Sequence, residues 1–134
     1  MIIEDIFELC STILTKLGFG NETFNSLVQK WVFFVDECQD GYRWGYSEYR
    51  NEIRVRGLIE QLLNDSAISN SKDFKTLRER VILADKKFKD LLQPDIALVE
   101  GEGWWGSGVL MYAGEDYSCY MKEAHGVLVE VVQS

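Results

Sequence analysis

The only proline in the chain is Pro94, and it divides the sequence into two parts with different periodicity. Proline removes a backbone donor and clashes with the preceding helical turn, and the 93 residues ahead of it read as helices. The apolar residues before it recur at helical spacing. Ile3, Ile6, Cys10, Ile13 and Leu17 step by three and four onto one face, and Gly18 and Gly20 supply a stop. Asn21 is the expected N-cap of a second helix carrying Phe24, Leu27, Val28, Trp31, Phe34, Val35 and Cys38. Its "WVFFV" centre (31–35) is apolar nearly all round and calls for cover on several sides.

"QDGYRWGY" breaks that helix, and Ser47 is the expected cap of a third, with Val55, Leu58, Ile59, Leu62 and Leu63 as its apolar set. Gly57 sits inside it at a cost of ~1 kcal/mol relative to alanine. Glu52 and Arg56 are spaced for an i,i+4 ion pair, worth about 0.2–0.5 kcal/mol. "NDSAISNS" reads as a polar loop ending in a Ser71 cap. Phe74, Leu77, Val81, Ala84, Phe88 and Leu91 then alternate steps of three and four, and Pro94 closes that helix.

After Pro94, "IALVE" (96–100) and "VLVEVV" (127–132) are short, β-branched and read as strands. Between them, Gly114 or Glu115 starts a helix whose leading acids suit its positive end and whose C-terminus suits Gly126. "GVLMYA" (108–113) fits either helix or strand. The expected architecture is mainly α with a small β element, α+β, in a single domain spanning 1–134. A four-helix bundle fills 1–93, and a C-terminal α/β cap of strand, helix and strand fills 94–134.

The 46% hydrophobic and 13% aromatic content supports a packed core rather than a disordered chain. "MIIEDIFELC" places acids where a secretory signal needs bases, and no apolar run approaches the ~20 residues of a membrane span. A soluble cytoplasmic protein is expected. Cys10, Cys38 and Cys119 are scattered and odd in number, which speaks against a disulfide framework or zinc site and for small buried hydrophobes in a reducing compartment. The net charge of −8 is uneven: −5 over 1–42, +4 over 43–89, and −7 over 90–134, where eight acids face one base, Lys122. Such a C-terminal third repels phosphates and attracts a basic partner, so direct nucleic-acid binding is not expected, although the basic middle segment does not exclude it. With no apolar run long enough to span a bilayer, no membrane partner is expected either.

Catalytic signatures fail one by one. His125 is the only histidine; Cys119 and Asp116 precede it in a composition that a nucleophile, base and orienter would need. Six residues of helix turn through about 240°, so Cys119 and His125 face different ways, and a histidine before Gly126 suits a helix C-terminus. Gly101, Gly103 and Gly106 match a bare G-x-G-x-x-G, but the chain leaves no room for the α/β domain that a dinucleotide needs. The glutamates beside them oppose a phosphate, and no Walker lysine follows. Glu4/Asp5, Asp36/Glu37 and Glu115/Asp116 are neighbours in sequence, whereas acid–base catalysis needs carboxyls facing across a cleft. No calcium loop is present. No cofactor, metal or catalytic residue is assigned, and the chain is expected not to be an enzyme.

What remains is aromatic. "VEGEGWWGSG" (99–108) sets Trp104 and Trp105 among glycines and beside Glu100 and Glu102. On a strand they would point to opposite faces; in a loop one anchors the core while the other stays near the surface. Tyr42, Trp44 and Tyr46, with Arg43 between them, form a second cluster. Buried aromatics are one reading of both clusters. The other is a contact patch, because tryptophan, tyrosine and arginine dominate interface hot spots.

In size, charge and lack of catalytic residues the chain resembles a bacterial immunity protein of the kind paired with contact-dependent growth inhibition and other polymorphic toxins. Its most distinctive stretch is "WWGSGVLMYAGEDYSCYM" (104–121), followed by "HGVLVEV". The resemblance implies a small cytoplasmic domain that binds one cognate toxin domain, commonly a basic nuclease, and blocks its active site or substrate groove. The candidate partner-binding residues are Trp104 and Trp105 as anchors, with Glu100, Glu102, Glu115 and Asp116 supplying charge. The free chain is a monomer or a homodimer through the aromatic patch. Two other classes stay open: a non-catalytic regulatory or adaptor domain, and an enzyme working through Cys119 or His125.

Overall fold

Seven buried side chains on one helix need more than one neighbour to cover them, and α2 (Phe24–Gln39) has two. It packs against both α3 (Tyr46–Leu63) and α5 (Lys75–Lys89) in a computed structural model that describes residues 5–132. Ile3 and Glu4 therefore lie outside the described residues. Ahead of α2, α1 (Ile6–Lys16) leans on α3 and on the one-turn helix α4 (Ser66–Ser69). A 3₁₀ turn (Lys72–Phe74) leads into α5. These long helices form the expected N-terminal bundle, so the fold is mainly α with a small β element.

Several local expectations are corrected. The cap of α2 is Thr23, not Asn21: Thr23 and Ser26 satisfy one another's backbone donors in a reciprocal capping box. Gly45, not Ser47, precedes α3. "NDSAISNS" is not all loop, because Asp65 caps α4 and Ile68 is fully buried. Ser71 caps only the 3₁₀ turn, and α5 stops at Lys89, well before Pro94, although Leu91 stays in the core. The "WVFFV" run is covered only toward α3 and α5; Phe33 is 67% exposed.

Residues 96–100 are not a strand. Asp95 adopts a positive φ of 67° directly after Pro94, which interrupts extended backbone at the start of this stretch. The Leu98 N–H then donates to Ser107 O at 2.7 Å, closing a loop rather than a ladder. That loop contains α6 (Gly103–Ser107). The first strand comes from the stretch left undecided: β1 (Tyr112–Ala113) runs parallel to β2 (Glu130–Val131), with α7 (Glu115–His125) as the crossover. Parallel neighbours require such a crossover, and the helix sits where the Gly114 and Gly126 boundaries placed it.

An aromatic network ties the two parts together. Trp31 meets Phe88 edge-on at 5.1 Å, Phe34 meets Tyr49 at 5.4 Å, and Tyr49 meets Tyr117 of α7 at 4.8 Å. The Tyr117 hydroxyl also accepts the Leu110 N–H at 3.1 Å, fixing the approach to β1. Gly126 ends α7 in the left-handed region at φ 65°, and an added Cβ would touch nothing within 4 Å. The cost of a side chain there is purely conformational, about 1–2 kcal/mol. Chemical unfolding of Gly126→Ala is expected to show that loss, and Gly126→Asn a smaller one; equal stability of all three would contradict the cap.

Candidate functional site

An arginine on the core face of a helix must bring its own counter-charge, and Arg56 of α3, 5% exposed, does so. Its Nε donates to Asp85 Oδ1 at 2.8 Å and its Nη2 to Asp85 Oδ2 at 2.9 Å, a bidentate pair between α3 and α5. The Trp31 indole N–H adds a third donor to Oδ1 at 2.9 Å. The i,i+4 pair with Glu52 does not form. Arg56 turns instead toward Asp85, with Glu60 Oε2 3.7 Å from Nη1, and Glu52 accepts from the Tyr42 hydroxyl at 2.6 Å.

Trp104 and Trp105 complete this centre. Their rings lie over the guanidinium, with centroids 5.8 Å and 5.0 Å from its carbon, and Lys89 Nζ stands 4.5 Å from the Trp104 ring. Adjacent side chains would diverge on a strand, but on the single turn of α6 both reach the same cation. Trp105 is 7% exposed and Trp104 half-buried, so one anchors the core and the other stays near the surface. Trp105 is thus not available as an exposed contact. Gly57 also finds a purpose: a Cβ there would lie 3.1 Å from Glu102 Oε1, so glycine leaves room for that carboxylate against α3.

Beside the tryptophans a cleft of about 360 Å³ opens between α3 and the loop carrying α6. Tyr46 and Tyr120 stack on one another at 4.3 Å and 8° along it, while Arg50 and Arg54 line one part and Glu100 and Glu102 another. His125 Nε2 approaches Glu100 Oε1 at 3.4 Å without hydrogen-bond geometry, and its ring meets Tyr120 at 5.8 Å. No ion pair or hydrogen bond among the described residues joins it to Asp116 or Cys119. Cys10 and Cys38 are buried as expected, whereas Cys119 is exposed, which corrects the expectation for that residue. Glu115 and Asp116 occupy the first turn of α7 at a separate recess of about 640 Å³, with Asp40, Arg43 and Val131. The six candidate residues therefore fall in three places: Glu100, Glu102 and Trp105 on the cleft, Trp104 over Lys89, and Glu115 with Asp116 on the recess.

No protein-family model matches this chain, and no curated protein or solved structure matches it either.

The structure also unites two carboxylates that lie far apart in sequence. Glu37 of α2 and Glu52 of α3 line the same groove. Burial pushes the Glu37 carboxyl above the ordinary carboxylate range and the charge of Glu52 adds to it; the Trp44 N–H and Arg43 only partly offset this. Of the second aromatic cluster, Tyr42 is fully buried, Tyr46 half-buried and Trp44 exposed. A sequence signal for Arg56 existed: it steps by three from both Ile53 and Ile59, which puts a cation on a buried face.

Two predictions follow from these carboxylates and the buried pair. Asp85→Ala strands a buried guanidinium and is expected to cost about 3–5 kcal/mol in urea unfolding. The double variant Arg56→Met, Asp85→Asn, which keeps an acceptor for Trp31, is expected to recover more than half of that. A loss of about 0.2–1 kcal/mol in the single variant, typical of an exposed pair, would contradict the assignment. For Glu37, a raised native value means the folded state holds more protons than the unfolded one between the ordinary carboxylate range and that value. Its contribution therefore weakens as pH rises through that window. Glu37→Gln is expected to raise Tm at pH 7 and to leave it unchanged at pH 3.

Proposed function

We propose that this chain is an immunity protein: it binds one cognate toxin domain, a basic nuclease, stoichiometrically in the cytoplasm of the producing bacterium, and blocks its active site or substrate groove. The observation that carries this reading is the state of the acids in residues 90–134. All eight are exposed, and none is paired with a lysine or arginine among the described residues. A surface of unneutralised carboxylates complements a groove built to hold phosphates. It also steers the encounter, raising the association rate well above that of neutral partners. An interface of roughly 1,600 Å² is sufficient for tight binding.

The division of labour differs from composition alone. Glu100, Glu102, Glu115 and Asp116 supply charge from two exposed places. Trp105 holds the loop in position from inside. Anchoring falls to aromatics that reach solvent, Trp44 and Tyr120, with Trp104 contributing its outer edge. No helix among the described residues is long and apolar enough to cross a membrane, so the reading needs no membrane step.

The test is co-expression of the tagged chain with the C-terminal domain encoded immediately upstream of its gene. A one-to-one complex with rescue of the cells from growth arrest is expected. Reversing charge at Glu100, Glu102, Glu115 and Asp116 together is expected to slow association about tenfold or more at low salt and to flatten its salt dependence. Alanine at Cys119 and His125 leaves protection intact. Absence of both complex and rescue would overturn the reading in favour of an adaptor domain, and loss of rescue on removing Cys119 or His125 would favour an enzyme.

A further inference from the structure

We propose that the groove between α2 and α3 seats an arginine side chain carried on an apolar stretch of the protein partner, with Phe33 and Val55 flanking the stem and Glu37 and Glu52 receiving the guanidinium. The proposal rests on reading the chain as a binder of basic proteins and names a contact outside the acidic C-terminal third.

The groove has an apolar portion and a charged portion. Phe33 is the one ring of the "WVFFV" run that faces solvent, and with the half-buried Val55 it forms apolar walls above the buried Phe34. The groove holds about 610 Å³, ample for one long side chain and part of the segment bearing it. Among the described residues its only lining cation, Lys30, is already ion-paired with Glu22. Burial opposes ionisation of Glu22, yet the hydrogen bonds from Lys30 and Ser26 outweigh it and hold that carboxyl below its ordinary range. The charge left over belongs to Glu37 and Glu52.

Glu52 is held in place by a short hydrogen bond, and Glu37 is met by a longer contact. The Tyr42 hydroxyl donates to Glu52 Oε2 at 2.6 Å, and the Trp44 indole N–H reaches Glu37 Oε2 at 3.4 Å. Among the described residues neither Oε1 accepts a hydrogen bond. A planar fork of N–H donors suits such a pair better than a point charge does. Burial, and after it the charge of Glu52, keeps the Glu37 carboxyl raised, and a cation arriving beside the two carboxylates would offset both. A bare metal ion fits less well, since no three histidine, cysteine or carboxylate side chains converge among the described residues, and a metal would leave the apolar portion unused. Asn51 lines both this groove and the Glu100–Glu102 cleft, so one partner surface straddling α3 reaches both.

The test uses hexylguanidinium as the probe, titrated into the ¹⁵N-labelled full chain and read at the Trp44 indole N–H. A saturable shift on the order of millimolar concentration is expected, with neither 1-hexanol nor guanidinium ion alone reproducing it. The double variant Glu37→Gln, Glu52→Gln keeps the acceptor for Tyr42 and is expected to bind the probe at least about tenfold more weakly. Phe33→Gln, on an exposed position, serves as a second variant with an intact fold and is expected to weaken binding several-fold. Hexanol binding as well as the probe, an unsaturable shift, or undiminished binding by both variants would overturn the proposal. The probe involves no toxin, so the groove and the immunity reading fail separately. Saturable probe binding with no toxin complex leaves the groove standing, while a toxin complex indifferent to Glu37→Gln, Glu52→Gln removes it as a partner contact.

Discussion

A guanidinium held at 5% exposure sets the terms for everything around it. Arg56 needs Asp85, so α3 and α5 must meet at one register; Asp85 also takes the Trp31 N–H, so α2 is fixed to the same point. The faces of the guanidinium that no carboxylate can cover go to Trp104 and Trp105. A buried pair of this kind adds little net stability over apolar packing of the same volume. What it imposes is position. The loop after Pro94 is pinned through its two largest side chains to the centre of the bundle, which in turn holds Glu100 and Glu102, just ahead of that anchor, at the surface.

The paired tryptophans among glycines make sense in this light. Two large rings must approach one cation from adjacent positions, and only a tight turn with small neighbours brings them there. Glu102 lies close over Gly57 of α3, where an added Cβ would stand 3.1 Å from Oε1 and the carboxylate would have to shift. The acids that look incongruous beside tryptophan are the outer layer of the structure that buries it.

The long helices could be read from the sequence because their apolar stripes are periodic and their burial depends on that period alone. α7 could be read too, since Gly114, the leading acids and Gly126 are all local signals. Elements failed where the deciding partner is remote or where two residues compete. Thr23 wins the cap from Asn21 because Ser26 reciprocates. Arg56 satisfies the spacing rule with Glu52 but chooses Asp85, 29 residues away, because the interior offers only that acid with a bidentate geometry. "IALVE" carries strand composition, yet after the turn at Asp95 its Leu98 hydrogen-bonds across the loop to Ser107. Of the candidate site, the exposed acids were legible from charge distribution, whereas the burial of Trp105 and the joining of Glu37 to Glu52 are products of tertiary packing.

That joining bears on how a protein of this charge can select a partner. Exposed carboxylates on Glu100, Glu102, Glu115 and Asp116 attract any basic surface at a distance, and salt screens that attraction over about 8–10 Å. Selectivity needs contacts that are shaped and already in place, since ordering them on binding would consume part of the affinity. The α2–α3 groove would supply such contacts to the proposed partner. Its carboxylates are held by the rings of Tyr42 and Trp44, and its apolar portion rests on the same Phe34 that packs against Phe88 and Tyr49. On the proposed reading, long-range attraction would come from the exposed acids of residues 90–134, and discrimination from the groove built on the helical core.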